Sequence, residues 1–292
     1  MKPNVSLLQQ GISRTRELWH GRPDLWAVSY PKSGRTWLRL MVARVYHLMT
    51  GEPVEEMLIT RHRRIRELET DVAVPLIRFH HGHQFAGICQ TGRFPGVYYR
   101  RSRIALLVRD PRDIVVSNYF HRTYRDRTFS GSLSDFIHHD YQRESKDSPI
   151  ALCGIGSIIN YYNSWVANRD LLRDFLLITY EDLHADAKGA LQKLLEFSGI
   201  EVRNEYLDDA VEFAAFGNMQ SIELEGRFNW KGLNQSRDPN GLKARRGQVG
   251  GFRDEMNAED LDFINQTILD DLSTFFSRYR KAAANDLQNS TA

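Results

Sequence analysis

Short apolar runs and helical apolar stripes alternate along this chain. Leu25 to Tyr30 (LWAVSY) is a run of strand formers that stops at Pro31 and Gly34. From Thr36 the spacing changes to that of a helix, as TWLRLMVARVYHLM shows. Strand, tight loop and helix in this order open an α/β unit. Pro75 to Phe79 (PLIRF) predicts a second strand. Arg103 to Val108 (RIALLV) predicts a third, an apolar run suited to a parallel strand buried on both faces. A helix is expected from Ile114 to Tyr124. Ser132 is expected to N-cap another through Tyr141, with Asp135 completing a capping box. Residues 155–171 read as helix, Phe175 to Thr179 (FLLIT) as a fourth strand, and 186–198 and 204–215 as further helices. Residues 4–19 carry an amphipathic helical pattern. From Glu223 to Gly251 the chain has little periodicity and reads as a long functional loop. A last helix over 258–279 precedes a polar tail, 283–292, that is expected to fray. This alternation predicts a single α/β domain over 1–292, with a central parallel β-sheet flanked by helices.

Composition narrows the class further. The 292 residues are 41% apolar and 26% charged, ordinary for a soluble globular chain. The 39 basic and 37 acidic residues leave a net charge of +2, so no nucleic-acid partner is expected. Basic clusters are local: RHRRIR at 61–66 and RRSR at 100–103. Cys89 and Cys153 have no metal-ligand or redox spacing and read as free thiols of a reducing compartment. No signal peptide is read at the N-terminus, and no apolar run reaches the ~18 residues of a membrane span. The expectation is a cytoplasmic protein without a transmembrane anchor.

Candidate chemistry begins at Tyr30-Pro31-Lys32-Ser33-Gly34-Arg35-Thr36-Trp37. A loop between a strand end and a helix start offers free N–H groups and a helix dipole to phosphate. Gly34 permits close backbone approach, Lys32 adds charge, and Ser33 and Thr36 add hydroxyl donors. A plain strand–helix turn with a solvated lysine fits the composition equally well. A Walker A loop is excluded, because the glycine positions of that pattern hold Pro31 and Trp26. At the third strand end stands Arg109, and Ser117 lies eight residues on. If the intervening segment is helical, the two can converge on one anion, for which the arginine fork is suited. Pairing of Arg109 with Asp110 or Asp113 is the bland alternative.

YPKSGRTW resembles the 5′-phosphosulfate loop of the cytosolic-type sulfotransferases, whose usual form is YPKSGTTW; Arg35 is the departure. These enzymes depend on 3′-phosphoadenosine-5′-phosphosulfate (PAPS). The resemblance implies a P-loop-like phosphate-binding loop. Lys32 would meet the bridging oxygen, Ser33, Gly34, Arg35 and Thr36 the 5′-phosphate, and Trp37 the adenine. LLVRDPRDIVVSNYFH resembles the family's 3′-phosphate segment, which carries over Arg109 and Ser117 and marks Arg112-Asp113 as structural. Arg245-Arg246-Gly247 resembles the start of the family's RKGxxGDWK, with Gly251 and Phe252 in place of Asp and Trp. These residues would close over the 3′-phosphate. Tyr180 opens a YEDL sequence like the one that contacts adenine. Ala215, Phe216 and Met219 fall on the family's serine–phenylalanine–methionine pattern there, the serine hydroxyl being lost. These segments span 30–253 in the family's order.

In-line sulfuryl transfer needs charge stabilised on the leaving oxygen, a role for Lys32, and a base for the acceptor's proton. Histidine suits the second role near neutral pH. His80, His81 and His83 follow the second strand. If the chain stays extended, His81 and His83 share a face and His80 points away. No acidic or cysteine partner is near, so zinc is a minor reading and no metal is expected. The family's catalytic histidine lies six residues after a proline in a KTH sequence. Counting from Pro75 reaches His81, with Phe79 and His80 in place of Lys and Thr. His81 is the expected base and His80 the second choice.

The expected reaction moves a sulfuryl group from PAPS to a hydroxyl or amine of a small-molecule acceptor, with PAP as product. A carbohydrate or glycolipid acceptor is the alternative. A nucleotide-dependent kinase and a non-enzymatic anion-binding module are the weaker readings. Acceptor contacts are expected from 50–74, 84–102, 125–153 and 224–244. The family's dimer sequence survives here only as a charge pattern, so a monomer or a dimer of another kind is expected.

Overall fold

The computed structural model describes residues 23–59, 74–139, 154–228, 230, 233 and 238–290. Four strands form one parallel sheet: β1 (Leu25–Ser29), β2 (Ile77–His80), β3 (Arg103–Val108) and β4 (Asp174–Thr179). Their order is β2-β1-β3-β4, with Val28 level with His80, Ser29 with Leu107, and Val108 with Thr179. The connection from β1 leads to β2 on one side of the sheet and that from β3 leads to β4 on the other. The topological switch therefore lies between the carboxyl ends of β1 and β3, where ligands of open α/β sheets bind.

Alternate residues of β1 feed two cores. Leu25 and Ala27 pack beneath α1 (Arg35–Thr50), joined by α9 (Ala187–Ser198) and α10 (Asn204–Phe213). Trp26 and Val28 pack on the other face with α7 (Ile155–Ala167) and α12 (Ala258–Asp271). Burial on both faces is why β1 is apolar from Leu25 to Val28 and β3 from Ile104 to Val108. Among the described residues no helix is long and apolar enough to cross a membrane.

The four expected strands are present, β2 shifted to end at His80. Helix α5 (Pro111–Phe120) starts three residues before the expected Ile114. Asp110 accepts the Arg112 N–H as N-cap and Pro111 occupies the first turn, a favoured pairing. After Phe120 the helix widens into a π-helical turn, His121–Arg125. The Ser132–Asp135 capping box is formed in both directions at the head of α6 (Leu133–Ile137).

Several expectations fail: α6 stops at Ile137, short of the expected Tyr141, and α7 at Ala167, short of 171. The stretch read as loop from Glu223 is preceded by an unforeseen helix, α11 (Phe216–Glu225), whose polar, glycine-containing sequence hides its buried side. The single helix over 258–279 is two: α12 ends at Asp271, and Ser273 caps a 3₁₀ turn leading into α13 (Ser277–Ser290). The tail expected to fray from 283 is thus helical through Ser290. The expected helix at 4–19, the cluster at 61–66 and Cys153 lie outside the described residues.

Polar side chains hold α13 in place. Arg112 is 1% exposed and donates to both Asp110 oxygens, to Asn265 and to Asp286 of α13. Its guanidinium lies 4.3 Å from the Phe252 ring centre. The expected structural role of the Arg112-Asp113 step is met. Arg112→Ala leaves Asp110 without its ion-pair partner and leaves Asp286 held by Arg253 alone. It is expected to cost about 3–5 kcal/mol in a urea titration, as losing one partner of a buried ion pair does.

Candidate functional site

Each strand is followed by one of the candidate site residues at its carboxyl end: Lys32 after β1, His81 after β2, Arg109 after β3 and Tyr180 after β4. All four line one cavity of about 340 Å³.

The loop after β1 is held in an uncommon shape. Lys32 takes a left-handed φ of 72° and Gly34 one of 92°. A positive φ is uncommon for a non-glycine residue, and of the four such residues described, Lys32, Gln84, Arg101 and Arg127, only Lys32 lines the cavity. A Cβ on Gly34 would lie 2.6 Å from the Tyr180 ring, so glycine is required by space as well as by φ. The ammonium of Lys32 is pushed down to about 7, first by burial and then by the charge of Lys243. Ser33 is fully buried beneath the loop and does not line the cavity, whereas Thr36 and Trp37 do.

His81 is fixed at both nitrogens. Nδ1 lies 2.9 Å from the Ser29 carbonyl and so carries the proton. Nε2 is left as an acceptor and receives the Arg35 guanidinium at 2.6 Å. Burial, then Arg35, holds the imidazole well below its usual range, so it is neutral near pH 7. The other two histidines go elsewhere. The strand ends at His80 and the chain turns, so the extended geometry that would pair His81 with His83 is not formed. His80 and His83 sit 5.1 Å apart around Trp26, and His83 stacks on Tyr98 at 4.1 Å. His80, the second-choice base, is therefore turned away from the cavity. Among the described residues no three His, Cys, Asp or Glu side chains are grouped to hold a metal ion.

Arg109 lies with its guanidinium 4.2 Å from the Tyr180 ring centre and donates to the Gln248 carbonyl at 2.7 Å. Ser117 lies on the same cavity wall from α5. The segment 243–252 closes over this end. Asp113 accepts the N–H groups of Gly250 and Phe252, and His184 Nε2 donates to the Gly247 carbonyl at 3.0 Å. Gly247 lies against Phe216, where a Cβ would come within 2.4 Å of the ring. Arg245 and Arg246 both pair with Glu255, and Arg246 also with Asp254.

Of the residues singled out from the sequence, Lys32, Gly34, Arg35, Thr36, Trp37, His81, Arg109, Ser117, Tyr180, Phe216, Met219, Arg245, Arg246 and Gly247 meet in this cavity. Ser33 is buried beside it, and Ala215 is an exposed N-cap of α11. Further residues line it that were not singled out by role, the titratable ones being Asp113, His121, His184 and Lys243, of which Lys243 lies within the 224–244 stretch expected to contact the acceptor. His121 had a signal, since it lies four residues after Ser117 and shares its helix face. Lys243 had none that separates it from solvated charge. His121 is pushed down to about 2 by burial and then by Lys32 and Lys243.

The sulfotransferase domain model matches residues 22–276. The chain belongs to the sulfotransferase family and is an enzyme of the PAPS-dependent kind. Sulfotransferase 2A2 of Mus musculus is 24% identical over 260 residues, covering 86% of this chain and 85% of the relative. Sulfotransferase 2B1 of Rattus norvegicus is 26% identical over 229 residues, covering 76% and 62%. Among solved structures, mouse sulfotransferase SULT7A1 complexed with PAP superposes with a TM-score of 0.60 at 18% identity, covering 88% of each chain. Retinol dehydratase in complex with retinol and PAP gives 0.54 at 15%, covering 87% and 83%.

Proposed function

We propose that this sulfotransferase moves a sulfuryl group from PAPS to a hydroxyl or amine of a small-molecule acceptor, in line, with His81 as general base and without a metal. The observation that carries this reading is the convergence of Lys32, His81 and Arg109 on one cavity from three adjacent strand ends.

The cavity fits the donor in three parts. Lys32, Gly34, Arg35 and Thr36 surround the phosphosulfate, with Ser33 contributing through the loop backbone. Trp37, Tyr180, Phe216 and Met219 form an apolar and aromatic middle suited to adenine. Ala215 adds only backbone. Arg109, Ser117, Arg245, Arg246 and Gly247 take the 3′-phosphate. The retinol and PAP held together by one structural neighbour agree with a small alcohol acceptor.

When bound, PAPS supplies the sulfuryl group, its sulfur–oxygen bond to phosphate breaking as a bond to the acceptor oxygen forms, with PAP as product. Lys32 sets positive charge where the leaving oxygen develops its negative charge. A lysine pushed down to about 7 binds an incoming anion in its protonated form, because the anion reverses the cost of the charge. His81 Nε2 takes the acceptor's proton. Ser29 keeps the tautomer correct, and Arg35 must release Nε2 first. Arg35 turned toward phosphosulfate achieves this, so donor binding readies the base. Incubation with sulfur-labelled PAPS and a panel of small alcohols, phenols and amines, with chelator present, tests the reading. Label in a neutral small acceptor is expected. Label only in carbohydrate or glycolipid, or none without Mg²⁺, would overturn it.

A further inference from the structure

Glu223 is fully buried in α11, and several donors converge on its carboxylate. Arg125 donates through Nη1 at 2.5 Å, and the backbone N–H groups of Lys243 and Ala244 donate at 2.9 and 3.3 Å. Arg125 also donates to the Gly241 carbonyl at 2.9 Å, so the pair grips the loop on both sides of Lys243. Arg125 comes from the π-helical turn after α5, a feature found mostly at functional sites. A carboxylate taken out of water is tolerated when its lone pairs are used this fully, and the loop is fixed in return.

The residue so fixed contributes its side chain to the cavity wall. Lys243 lines the cavity together with Lys32, Arg35, His81 and His121, and its charge acts on Lys32, His81 and His121 in the direction expected of a neighbouring cation. Burial, then Arg125, pushes its own ammonium down to about 8. Lys32, Arg35 and Lys243 thus line one cavity, whose phosphosulfate end is set by the loop of Lys32 and Arg35, with the buried Glu223 carboxylate as the opposing charge on both lysines. Like charges brought together in this way repel, and an anion among them relieves the cost. PAP brings only a 5′-phosphate to this end, whereas PAPS brings a second anionic group.

We propose that Lys243 is a second catalytic cation that meets the sulfuryl oxygens of the donor while Lys32 meets the leaving oxygen; this rests on the PAPS reading above. Lys243 stays protonated throughout, since the acceptor's proton goes to His81.

The test compares PAPS with PAP by calorimetric titration of the full chain and its Lys243→Met and Lys243→Arg variants. Lys243→Met is expected to lose about tenfold in PAPS affinity with PAP affinity little changed, the loss expected for one charged contact. Lys243→Arg is expected to keep most of the preference. Equal losses for both ligands, or no loss for either, would overturn the proposal. The donor reading fails separately, by the unaltered chain binding neither nucleotide.

Discussion

His81→Ala is expected to lower kcat by about 10²–10⁴-fold, the usual contribution of a general base, while PAP binding survives. The split follows from geometry: the imidazole is held between Ser29 and Arg35 and belongs to neither proposed phosphate cradle. Its pH signature is specific. A base must be neutral, and His81 is held well below 6.5 by burial and by Arg35. The acid limb of kcat/KM, which reports the free enzyme, is therefore expected below pH 6.5. Arg35→Thr removes one of the two main causes and is expected to move that limb upward. Full turnover in His81→Ala would remove His81 from the chemistry, and the next candidate in the cavity is His121.

Lys32→Met is expected to act in opposite directions on rate and stability. Transfer falls by about 10³-fold, as when a preorganised charge stabiliser is deleted. The unliganded variant melts higher, by roughly 5 °C, because a buried ammonium no longer has to be accommodated. In the folded chain Lys32 is pushed from 10.5 to about 7. The unfolded chain therefore holds this proton over a window in which the folded chain has released it. The penalty is full below about pH 7 and fades as pH rises toward 10.5. The gain from Lys32→Met should shrink over the same window. A melting temperature that falls at neutral pH, or a gain that grows with pH, would contradict burial as the cause.

Much of this design is legible in the chain because the sheet is parallel and buried. RIALLV and LWAVSY announce their strands by apolar continuity alone, and the loop after β1 follows from Pro31 and Gly34. Lys32 and Arg109 stand at the ends of such runs, while their roles and that of Tyr180 came from the resemblance of the surrounding segments to the family. His81 was placed by its resemblance to the family rather than by periodicity, and the face it takes depends on where β2 ends. Side chains that act through polar contacts were the harder ones. Helix α13 is anchored by Asp286 on Arg112 and Arg253, so its sequence reads as a solvated tail. Helix α11 buries a carboxylate, Glu223, at a position where an apolar residue would have declared it. The same carboxylate accepts the backbone N–H groups of Lys243 and Ala244 and so fixes the backbone from which Lys243 lines the cavity. Such long-range pairings leave no local pattern.

The central claim is a donor site for an adenosine bisphosphate nucleotide. Calorimetric titration of the purified chain with 3′-phosphoadenosine-5′-phosphate, against ATP and with chelator present, tests it most directly. Tight binding of the bisphosphate over ATP without Mg²⁺ is the predicted result. No binding, or a preference for Mg-ATP, would contradict it and favour a nucleotide-dependent kinase.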